Sequence, residues 1–308
     1  MITRTAFGIL AGLLAGCAHY GSGAKRPTGS RQAAVETGTH WARPADFPQL
    51  RRLGYNFVVV CVDPANRAEW AALFDAAAAS GLKLIVGGHP PPYRIENGQW
   101  VISSGGQALL RYAASRAALV KAVFVYNEPY WIDPFTEKTN HCGALSAEQL
   151  RGLRNTIRKV WPSALIYHDI GHPSLWAPGG RHHRDYACIG DKYENATGVA
   201  DYVGIWSFPF ETTGYHRSRA LEDMRRETEY VATRMQAQPV IANQAFRCSH
   251  CGEATRWPTL PELRDWNCAT RALGPHAVSW YPWRQQSYDD YLANHEEAWE
   301  STTSQICR

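Results

Sequence analysis

The feature that most constrains the fold is a regular alternation of strand-like and helix-like segments along the chain. Strand-like segments are short runs rich in β-branched and aromatic residues, whereas helix-like segments repeat apolar residues every three or four positions. The predicted strands are Ala33–Thr39, Tyr55–Val62, Leu82–Gly87, Ala122–Tyr126, Ala164–His168, Tyr202–Trp206, Pro239–Asn243 and Ala277–Trp280. Several are almost wholly apolar, as expected for parallel strands that are buried on both faces.

Helical patterns lie between these strands. They cover Pro44–Leu53, Arg67–Ser80, Gln107–Val120, Ser146–Trp161, Arg219–Gln236, Leu260–Leu273 and Asp289–Ser301, and the segment 172–200 is rich in loop-forming residues. About eight strand–helix units in 308 residues predict an α/β protein, a single-domain (β/α)8 TIM barrel. A doubly wound open sheet is the alternative. It usually carries a Gly-rich phosphate loop after its first strand, and the segment Thr37-Gly38-Thr39-His40 does not match one.

The composition narrows the classes of function. Hydrophobic residues make up 45% and charged residues 19%, which favours a folded core over disorder. A formal net charge of +4 and the lack of any Lys/Arg run give no support for binding nucleic acid. No dinucleotide fingerprint or phosphate loop occurs, so we expect no cofactor, and no metal site is expected either.

The first 32 residues have the pattern of an export signal. Arg4 precedes the apolar run Ala6–Ala15, which is shorter than the ~20 residues that a membrane-spanning helix needs. The sequence Leu14-Ala15-Gly16-Cys17 resembles the bacterial lipobox, and this resemblance implies cleavage before Cys17 and lipidation of its sulfur. An ordinary secretory signal with an incidental cysteine is the alternative.

The expected organisation is therefore a signal peptide at 1–16, a flexible tether at 17–32 and the barrel at 33–308. The tether residues are mainly small or polar, which suits a flexible linker. We expect a monomer in the bacterial cell envelope that touches a membrane through its lipid anchor only. In a Gram-negative cell that membrane would be the outer one.

Export also bears on the cysteines, because exported proteins meet oxidising conditions. Seven of the eight cysteines remain when Cys17 is set aside, so at least one stays free, and Cys61 fits because it lies in an apolar strand pattern. Our hypothesis for the others is three bridges: Cys142–Cys188, Cys248–Cys251 and Cys268–Cys307. A zinc site at Cys248 and Cys251 is the less favoured alternative, since a closed zinc site needs four ligands.

Polar and aromatic residues collect after the predicted strands, where TIM barrels carry their active sites. Twelve tryptophans are many for this length, and indole rings can stack on the apolar face of a sugar. The residues at the predicted strand ends are Glu36, His40, Asp63, His89, Asn127, Glu128, Tyr130, Trp131, His168, Asp169, Trp206, Glu211, Gln244, Tyr281 and Trp283.

The most specific motif is Val123-Phe124-Val125-Tyr126-Asn127-Glu128-Pro129. An apolar strand that ends in Asn-Glu-Pro resembles the fourth strand of the clan A retaining glycoside hydrolases. The resemblance implies that Glu128 is the general acid/base and that Asn127 contacts the sugar 2-hydroxyl. A general acid must hold its proton near neutral pH, and the aromatic neighbours Tyr126, Tyr130 and Trp131 would raise its pKa by desolvation.

The same family carries a second glutamate at the end of strand seven, and the matching position here is Gln244. An amide cannot form the usual glycosyl ester. Another carboxylate could replace it, with Asp169 preferred over Glu211, Asp63 and Glu36. The enzyme could instead be inverting, with carboxyl groups ~6.5–9.5 Å apart, or an acetamido group of the substrate could attack.

The sequence thus predicts a glycoside hydrolase-like lipoprotein that hydrolyses O-glycosidic bonds of a polysaccharide or glycoconjugate. Glu128 and Asp169 are the expected catalytic pair. The expected sugar contacts are Asn127, Glu36, Asp63, His89, Tyr130, Trp131, His168, Trp206, Glu211, Gln244, Tyr281 and Trp283. The alternatives are a catalytically silent carbohydrate-binding barrel and a barrel enzyme with a non-sugar substrate.

Overall fold

The structure, a computed structural model, describes residues 34–127, 145–170, 196–249, 255–284, 288–303 and 307. The strands of these residues, in chain order, are β1 (Glu36–His40), β2 (Phe57–Val62), β3 (Lys83–Gly88), β4 (Tyr93–Glu96), β5 (Gln99–Ile102), β6 (Val120–Asn127), β7 (Ile166–Asp169), β8 (Tyr202–Ser207), β9 (Phe210–Glu211), β10 (Gly214–Tyr215), β11 (Gln238–Gln244), β12 (Phe246–Arg247), β13 (Ala277–Tyr281) and β14 (Asp290–Tyr291).

The α-helices of the same residues lie outside these strands. They are α1 (Phe47–Arg52), α2 (Arg67–Ser80), α3 (Ser104–Ser115), α4 (Ala147–Val160), α5 (Arg217–Tyr230), α6 (Leu260–Ala272) and α7 (Glu296–Thr303). A π-helical turn, Val231–Met235, continues α5. None of these helices is both long enough and apolar enough to cross a bilayer.

Eight parallel strands close into a barrel in the order β1–β2–β3–β6–β7–β8–β11–β13, with β13 pairing back onto β1. The predicted single-domain (β/α)8 barrel is therefore confirmed, and residues 35–308 form one compact unit. All eight predicted barrel strands are present, with ends shifted by up to three residues. The predicted signal peptide and tether lie outside the described residues.

Three short antiparallel pairs were not predicted: β4 with β5, β9 with β10, and β12 with β14. Each has strands of only two to four residues. Such segments are too short to show an alternating pattern that stands out from loop sequence. They lie in the segments that follow four barrel strands, β3, β8, β11 and β13.

Side chains that alternate along the strands fill two separate cores. An interior cluster lies inside the barrel and consists of Phe57, Val59, Ile85, Ala122, Phe124, Tyr167, Tyr202, Val240 and Ala277. A larger outer core lies between the strands and the helices. Because β strands buried on both faces need apolar residues at every position, the strands read as continuous apolar runs.

Local signals set the helix ends. The Asn66 side chain accepts a hydrogen bond from the Glu69 backbone N–H (3.2 Å) at the start of α2, and Gly81 ends this helix with a φ of 72°. Ser146 and Gln149 form the capping box that the sequence predicts for α4. These side-chain caps determine the residues at which α2 and α4 begin.

The cysteine hypothesis is confirmed in part. Cys268 on α6 is bonded to Cys307, with their Cα atoms 5.3 Å apart, and Cys61 is a free thiol packed against the interior cluster. Cys248 is disulfide-bonded. Its predicted partner, Cys251, and the predicted Cys142–Cys188 bridge lie outside the described residues, as does the lipidation site Cys17.

Candidate active site

The carboxyl end of the barrel is lined by aromatic side chains from non-adjacent parts of the chain. His40 at the end of β1 contacts Tyr281 at the end of β13 edge-on, with ring centroids 5.3 Å apart. Trp206 of β8 lies 4.2 Å from the Tyr281 ring and 5.8 Å from that of His40. Side chains at the carboxyl ends of three barrel strands therefore pack together in one group.

This group extends outward into the loops. Phe246 stacks on Tyr288 with centroids 4.3 Å apart, and the Tyr288 hydroxyl lies 3.4 Å from that of Tyr281. We call the whole set the mouth cluster; it consists of Trp206, Ala242, Phe246, Cys248 and Tyr281 with Trp41, Phe208 and Tyr288 packed against them. The last three are partly exposed and supply the accessible aromatic surface.

His40 gives the mouth cluster a neutral polar group. Its Nε2 lies 3.0 Å from the Ser279 Oγ, and burial lowers the pKa of the imidazole to about 3. The ring is therefore uncharged at any ordinary pH. Burial also raises the pKa of the Tyr281 hydroxyl well above its usual range, so that group keeps its proton.

Asp169 is the carboxylate that the structure places inside the barrel. It is buried at the end of β7, and it accepts a hydrogen bond from the Tyr167 hydroxyl. Burial, together with the negative charge of Asp169, holds the pKa of Tyr167 well above its usual range. Burial and the negative charge of Asp169 also raise the pKa of the Cys61 thiol and of the Tyr281 hydroxyl. Cys61 packs against the interior cluster and Tyr281 belongs to the mouth cluster, so the carboxylate is close to both clusters.

A glycine on the next strand makes room for this pair. A Cβ on Gly204 of β8 would lie 1.8 Å from the Asp169 Oδ1 and 2.2 Å from the Tyr167 hydroxyl oxygen. No side chain fits at such distances. Gly204 therefore allows β7 to carry two polar groups towards the barrel axis.

The register between β6 and β7 brings the motif strand beside Asp169. Phe124 pairs with Tyr167, but the next aligned pair is Asn127 with Asp169, so β6 carries one extra residue. An extra residue near the end of a strand shifts the pairing of the following residues with the adjacent strand and changes the direction of their side chains. Asn127 is thus the backbone partner of Asp169, and Glu128 follows it in sequence.

Gln244, the last residue of β11, has a fully buried side chain. Its Oε1 accepts a hydrogen bond from the Phe210 N–H (3.2 Å). Its Nε2 contacts three backbone carbonyl oxygens, those of Phe210 (3.3 Å), Phe246 (3.1 Å) and Arg256 (3.3 Å). The amide therefore ties the end of β11 to the two loops that flank it.

Two predicted sugar contacts lie away from the mouth cluster. Glu36 is the first residue of β1, at the opposite end of the barrel, where it pairs with Lys121. The predicted first strand, Ala33–Thr39, already contained Glu36, so the assignment of this residue to the strand end did not follow from the predicted strand. Trp283 is fully buried in the outer core, between Tyr55 and Trp299. The assignment of both residues to the mouth is wrong.

Other predicted residues lie near strand ends but have local structural contacts. Asp63 accepts a hydrogen bond from the Ala65 N–H (2.8 Å), and His89 is an exposed residue that follows β3. Glu211 pairs with Arg219 (3.1 Å). His168 differs from these residues: it is buried, neither ring nitrogen is hydrogen-bonded to any residue that the structure describes, and burial lowers its pKa to about 3.

Three predicted residues, Glu128, Tyr130 and Trp131, lie outside the described residues. Four residues of the mouth cluster were not predicted as site residues: Trp41, Phe208, Phe246 and Tyr288. All four are aromatic and come within seven residues after a barrel strand, which is the signal that could have found them. Trp41 also has a positive φ of 60°, which is uncommon for a bulky residue and which the sequence does not reveal.

No cluster of three or more metal-ligating side chains occurs in the part of the chain that the structure describes. At the segment considered for zinc, Cys248 is disulfide-bonded, and a thiolate ligand must instead be free of such a bond. The described groups at the mouth are a buried carboxylate, neutral hydrogen-bonding groups and aromatic faces.

Comparison with known proteins finds no matching family model and no matching curated relative. Solved structures do resemble this chain. An exo-β-1,4-mannosidase from Opitutaceae bacterium strain TAV5 superposes with a TM-score of 0.53 at 14% identity, over 87% of this chain and 55% of the mannosidase chain. This chain thus spans about half the length of that protein.

Two further structures are matched over most of their length. A GH5 subfamily 18 protein from Streptomyces cattleya, solved in complex with GlcNAc, gives a TM-score of 0.56 at 13% identity, covering 88% of this chain and 80% of that one. An endo-1,4-β-mannanase from Eisenia fetida gives 0.50 at 10% identity, with coverages of 89% and 92%. At such identities the likeness shows the fold: the protein is a (β/α)8 barrel of the kind that glycoside hydrolases use.

Proposed function

We propose that the protein hydrolyses O-glycosidic bonds of a polysaccharide or glycoconjugate, with Glu128 as the general acid/base. The observation that carries the proposal is the buried Asp169 carboxylate, held by the Tyr167 hydroxyl below the mouth cluster. Asp169 is in register with Asn127, the residue that precedes Glu128. Glycoside hydrolysis needs a pair of carboxyl groups that flank the scissile bond.

The partly exposed aromatic residues suit the binding of sugar rings. Trp41, Phe208 and Tyr288 can pack against the apolar C–H faces of a pyranose. Neutral His40 and the protonated hydroxyl of Tyr281 can hydrogen-bond sugar hydroxyls without adding charge. Such a site favours an uncharged saccharide at the reacting position.

In this proposal Glu128 protonates the leaving glycosidic oxygen and Asp169 is the second carboxylate. If Asp169 attacks the anomeric carbon, a glycosyl ester forms, and water activated by Glu128 then hydrolyses that ester, so the product keeps the substrate's anomeric configuration. If Asp169 instead activates a water molecule that attacks directly, the configuration inverts. Gln244 takes no part in bond breaking, because its amide is engaged with backbone groups. Its role is to hold the loops that carry Phe210 and Phe246.

The test is cleavage of a glycan panel that begins with β-1,4-linked manno-oligosaccharides and GlcNAc-containing oligosaccharides, the sugars named for the structural neighbours. The wild type should release reducing ends, and Glu128→Gln should slow this by roughly 10²–10⁴-fold. Asp169→Asn should also slow it strongly, whereas Glu148→Gln, an exposed change on α4, should not. Unchanged cleavage by the Glu128 variant would refute its role.

A second candidate is a carbohydrate-binding barrel without catalysis. The use of Gln244 as a structural amide favours it, since the family's strand-seven carboxylate is then missing. Binding of an oligosaccharide by both wild type and Glu128→Gln, with no cleavage by either, would support this candidate. Full activity of Asp169→Asn on acetamido sugars alone would instead point to attack by the substrate's own acetamido group.

We also propose that Cys17 carries the lipid that anchors the protein in the cell envelope. The support is the lipobox-like sequence before it. Metabolic labelling with a radioactive fatty acid should mark the wild type and not Cys17→Ala. Labelling of the variant at the same level would contradict the proposal.

A further inference from the structure

A cavity lies in the helical layer, between α2 and α3. Its volume is about 420 Å³, within the range of pockets that hold small ligands. The lining residues are Arg67, Trp70, Ala108, Arg111 and Tyr112. They belong to the helices and not to the strand ends, so this cavity is separate from the mouth cluster.

The charge of this cavity is positive and uncompensated. Neither Arg67 nor Arg111 forms an ion pair with any of the residues that the structure describes, and both are exposed. Arg111 donates one hydrogen bond, to the Gln107 Oε1 (3.1 Å). No acidic side chain lines the cavity, so two guanidinium groups keep most of their donors available.

Two aromatic rings line the cavity: Trp70 is almost wholly buried, and the Arg116 guanidinium lies 4.0 Å over the Tyr112 ring. The indole N–H of Trp70 donates to the Asp63 carbonyl oxygen (2.8 Å), which sets the orientation of the ring. Tyr112 packs at 6.0 Å from Trp70 with the ring planes 55° apart, and Phe74 supports it edge-on at 5.2 Å. The two rings are therefore tilted against each other.

We propose that this cavity binds a sugar residue that carries an anionic group, such as a uronic acid. A guanidinium group recognises a carboxylate through two parallel hydrogen bonds, and Arg67 and Arg111 offer two such groups. The apolar C–H face of a sugar ring can pack against the accessible part of Tyr112, which is half-buried. The cavity would hold an acidic glycan on the outside of the barrel.

This site goes beyond the proposed hydrolysis and does not depend on it. Its residues lie on α2 and α3, and Glu128 and Asp169 are not among them. An acidic glycan could be bound here whether or not the mouth cleaves any bond. The experiment therefore measures binding and not turnover.

The probe is a trisaccharide of galacturonic acid, compared with its fully methyl-esterified form, by isothermal titration calorimetry. The wild type should bind the acid at least tenfold more tightly than the ester in low salt. Added salt should weaken binding of the acid, since exposed charges are screened. Equal affinity for acid and ester would overturn the proposal.

The variants separate this cavity from general attraction to a positively charged protein. The double variant Arg67→Gln/Arg111→Gln should bind the acid at least tenfold more weakly. The matched control Arg51→Gln/Arg52→Gln removes the same charge from exposed positions on α1 and should bind like the wild type. Equal losses in both doubles, or no loss in the first, would contradict the assignment. Glycan cleavage by the first double variant tests the mouth separately.

Discussion

At the scale of single residues, the position of Asp169 in the candidate active site depends on close contacts with the neighbouring strand β8. Gly204 lies against Asp169 and Tyr167 at distances that leave no room for a Cβ atom. We predict that Gly204→Ala lowers the free energy of unfolding by about 1–3 kcal/mol, as overpacking of a core does. Urea denaturation followed by circular dichroism measures this loss.

The cause of that loss can be isolated. In the background Asp169→Ala/Tyr167→Phe, the two oxygen atoms nearest to the added methyl group are gone. Gly204→Ala should then cost clearly less free energy of unfolding than it does in the wild type, because the two sites are in contact. Equal costs in both backgrounds would show that the backbone, and not this contact, requires glycine.

Gln244 offers a second prediction at the residue scale. In Gln244→Glu the introduced carboxylate would face three backbone carbonyl oxygens and could not donate to them. We expect a loss of about 2–4 kcal/mol at pH 7, the scale for a buried polar group without partners. Gln238→Glu, an exposed change on the same strand, is the control and should have little effect.

The pH dependence of Gln244→Glu follows from its surroundings. Burial beside carbonyl oxygens raises the pKa of the carboxyl group in the folded state above its unfolded value of about 4.3. The loss in free energy of unfolding relative to the wild type should therefore be smallest below about pH 4, where the carboxyl group is protonated in both the folded and the unfolded state. This loss should grow as the pH rises. A variant as stable as Gln238→Glu at pH 7 would contradict this view of the amide.

At the scale of elements, short sequence signals fix where helices begin. Thr259 and Glu262 form a capping box at the start of α6, and Arg256 makes two hydrogen bonds to the Glu262 carboxylate (2.7 and 2.9 Å). These contacts lower the pKa of Glu262 to about 2. The carboxylate therefore joins the loop after β12 to the helix that follows.

We predict that Glu262→Gln lowers the free energy of unfolding by about 0.5–1 kcal/mol at pH 7, the scale of an exposed ion pair, because glutamine can keep the capping box while the pair with Arg256 is lost. A depressed pKa gives stability that is present above the unfolded value of about 4.3 and is lost as the pH falls towards 2. The difference from wild type should thus shrink between pH 5 and pH 2. Urea midpoints across this range measure it, with Glu148→Gln as control.

The elements also show where prediction from sequence stops. The ends of long strands such as β2 and β11 were predicted to within two residues. Strands that are buried on both faces have apolar residues at consecutive positions, and such a run is visible in the sequence. The hairpin of β4 and β5 was not predicted, since four-residue strands leave too weak a periodic signal. The mouth is built partly from such short pieces, including the pair β12 and β14.

At the scale of the whole molecule, one covalent bond ties the end of the chain to the barrel. Cys268 on α6 and Cys307 are 39 residues apart in sequence and enclose β13 and α7. A bridge over such a loop restricts the unfolded chain and typically stabilises a protein by about 2–4 kcal/mol. We predict a loss of that size in Cys268→Ser, measured by urea denaturation under non-reducing conditions.

The matched variants for this bond are Cys307→Ser and the double substitution. All three should lose the same free energy, because removing either sulfur removes the one bond. A double variant much less stable than either single variant would show that the side chains contribute through packing instead. Equal stability of all three and the wild type would show that the bond adds nothing.

The sequence by itself determined the architecture. Apolar runs and helical spacing predicted a (β/α)8 barrel, and this works because burial and periodicity act on neighbouring residues. The free Cys61 and the Cys268–Cys307 bridge were also predicted correctly. The motif before Glu128 marked the strand that pairs with Asp169.

Only the tertiary structure decided which side chains meet at the carboxyl end of the barrel. Glu36 and His40 are four residues apart on β1, yet only His40 reaches the mouth cluster. Trp206 faces the cluster while Trp283 packs in the outer core. Residues four apart on a strand face the same side but lie about 13 Å apart along it, so Glu36 and His40 lie at opposite ends of the barrel. Trp283 lies two residues beyond the end of β13, where the alternation of strand faces no longer places its side chain. Register and strand ends arise from contacts between distant segments, which the sequence around one residue does not contain.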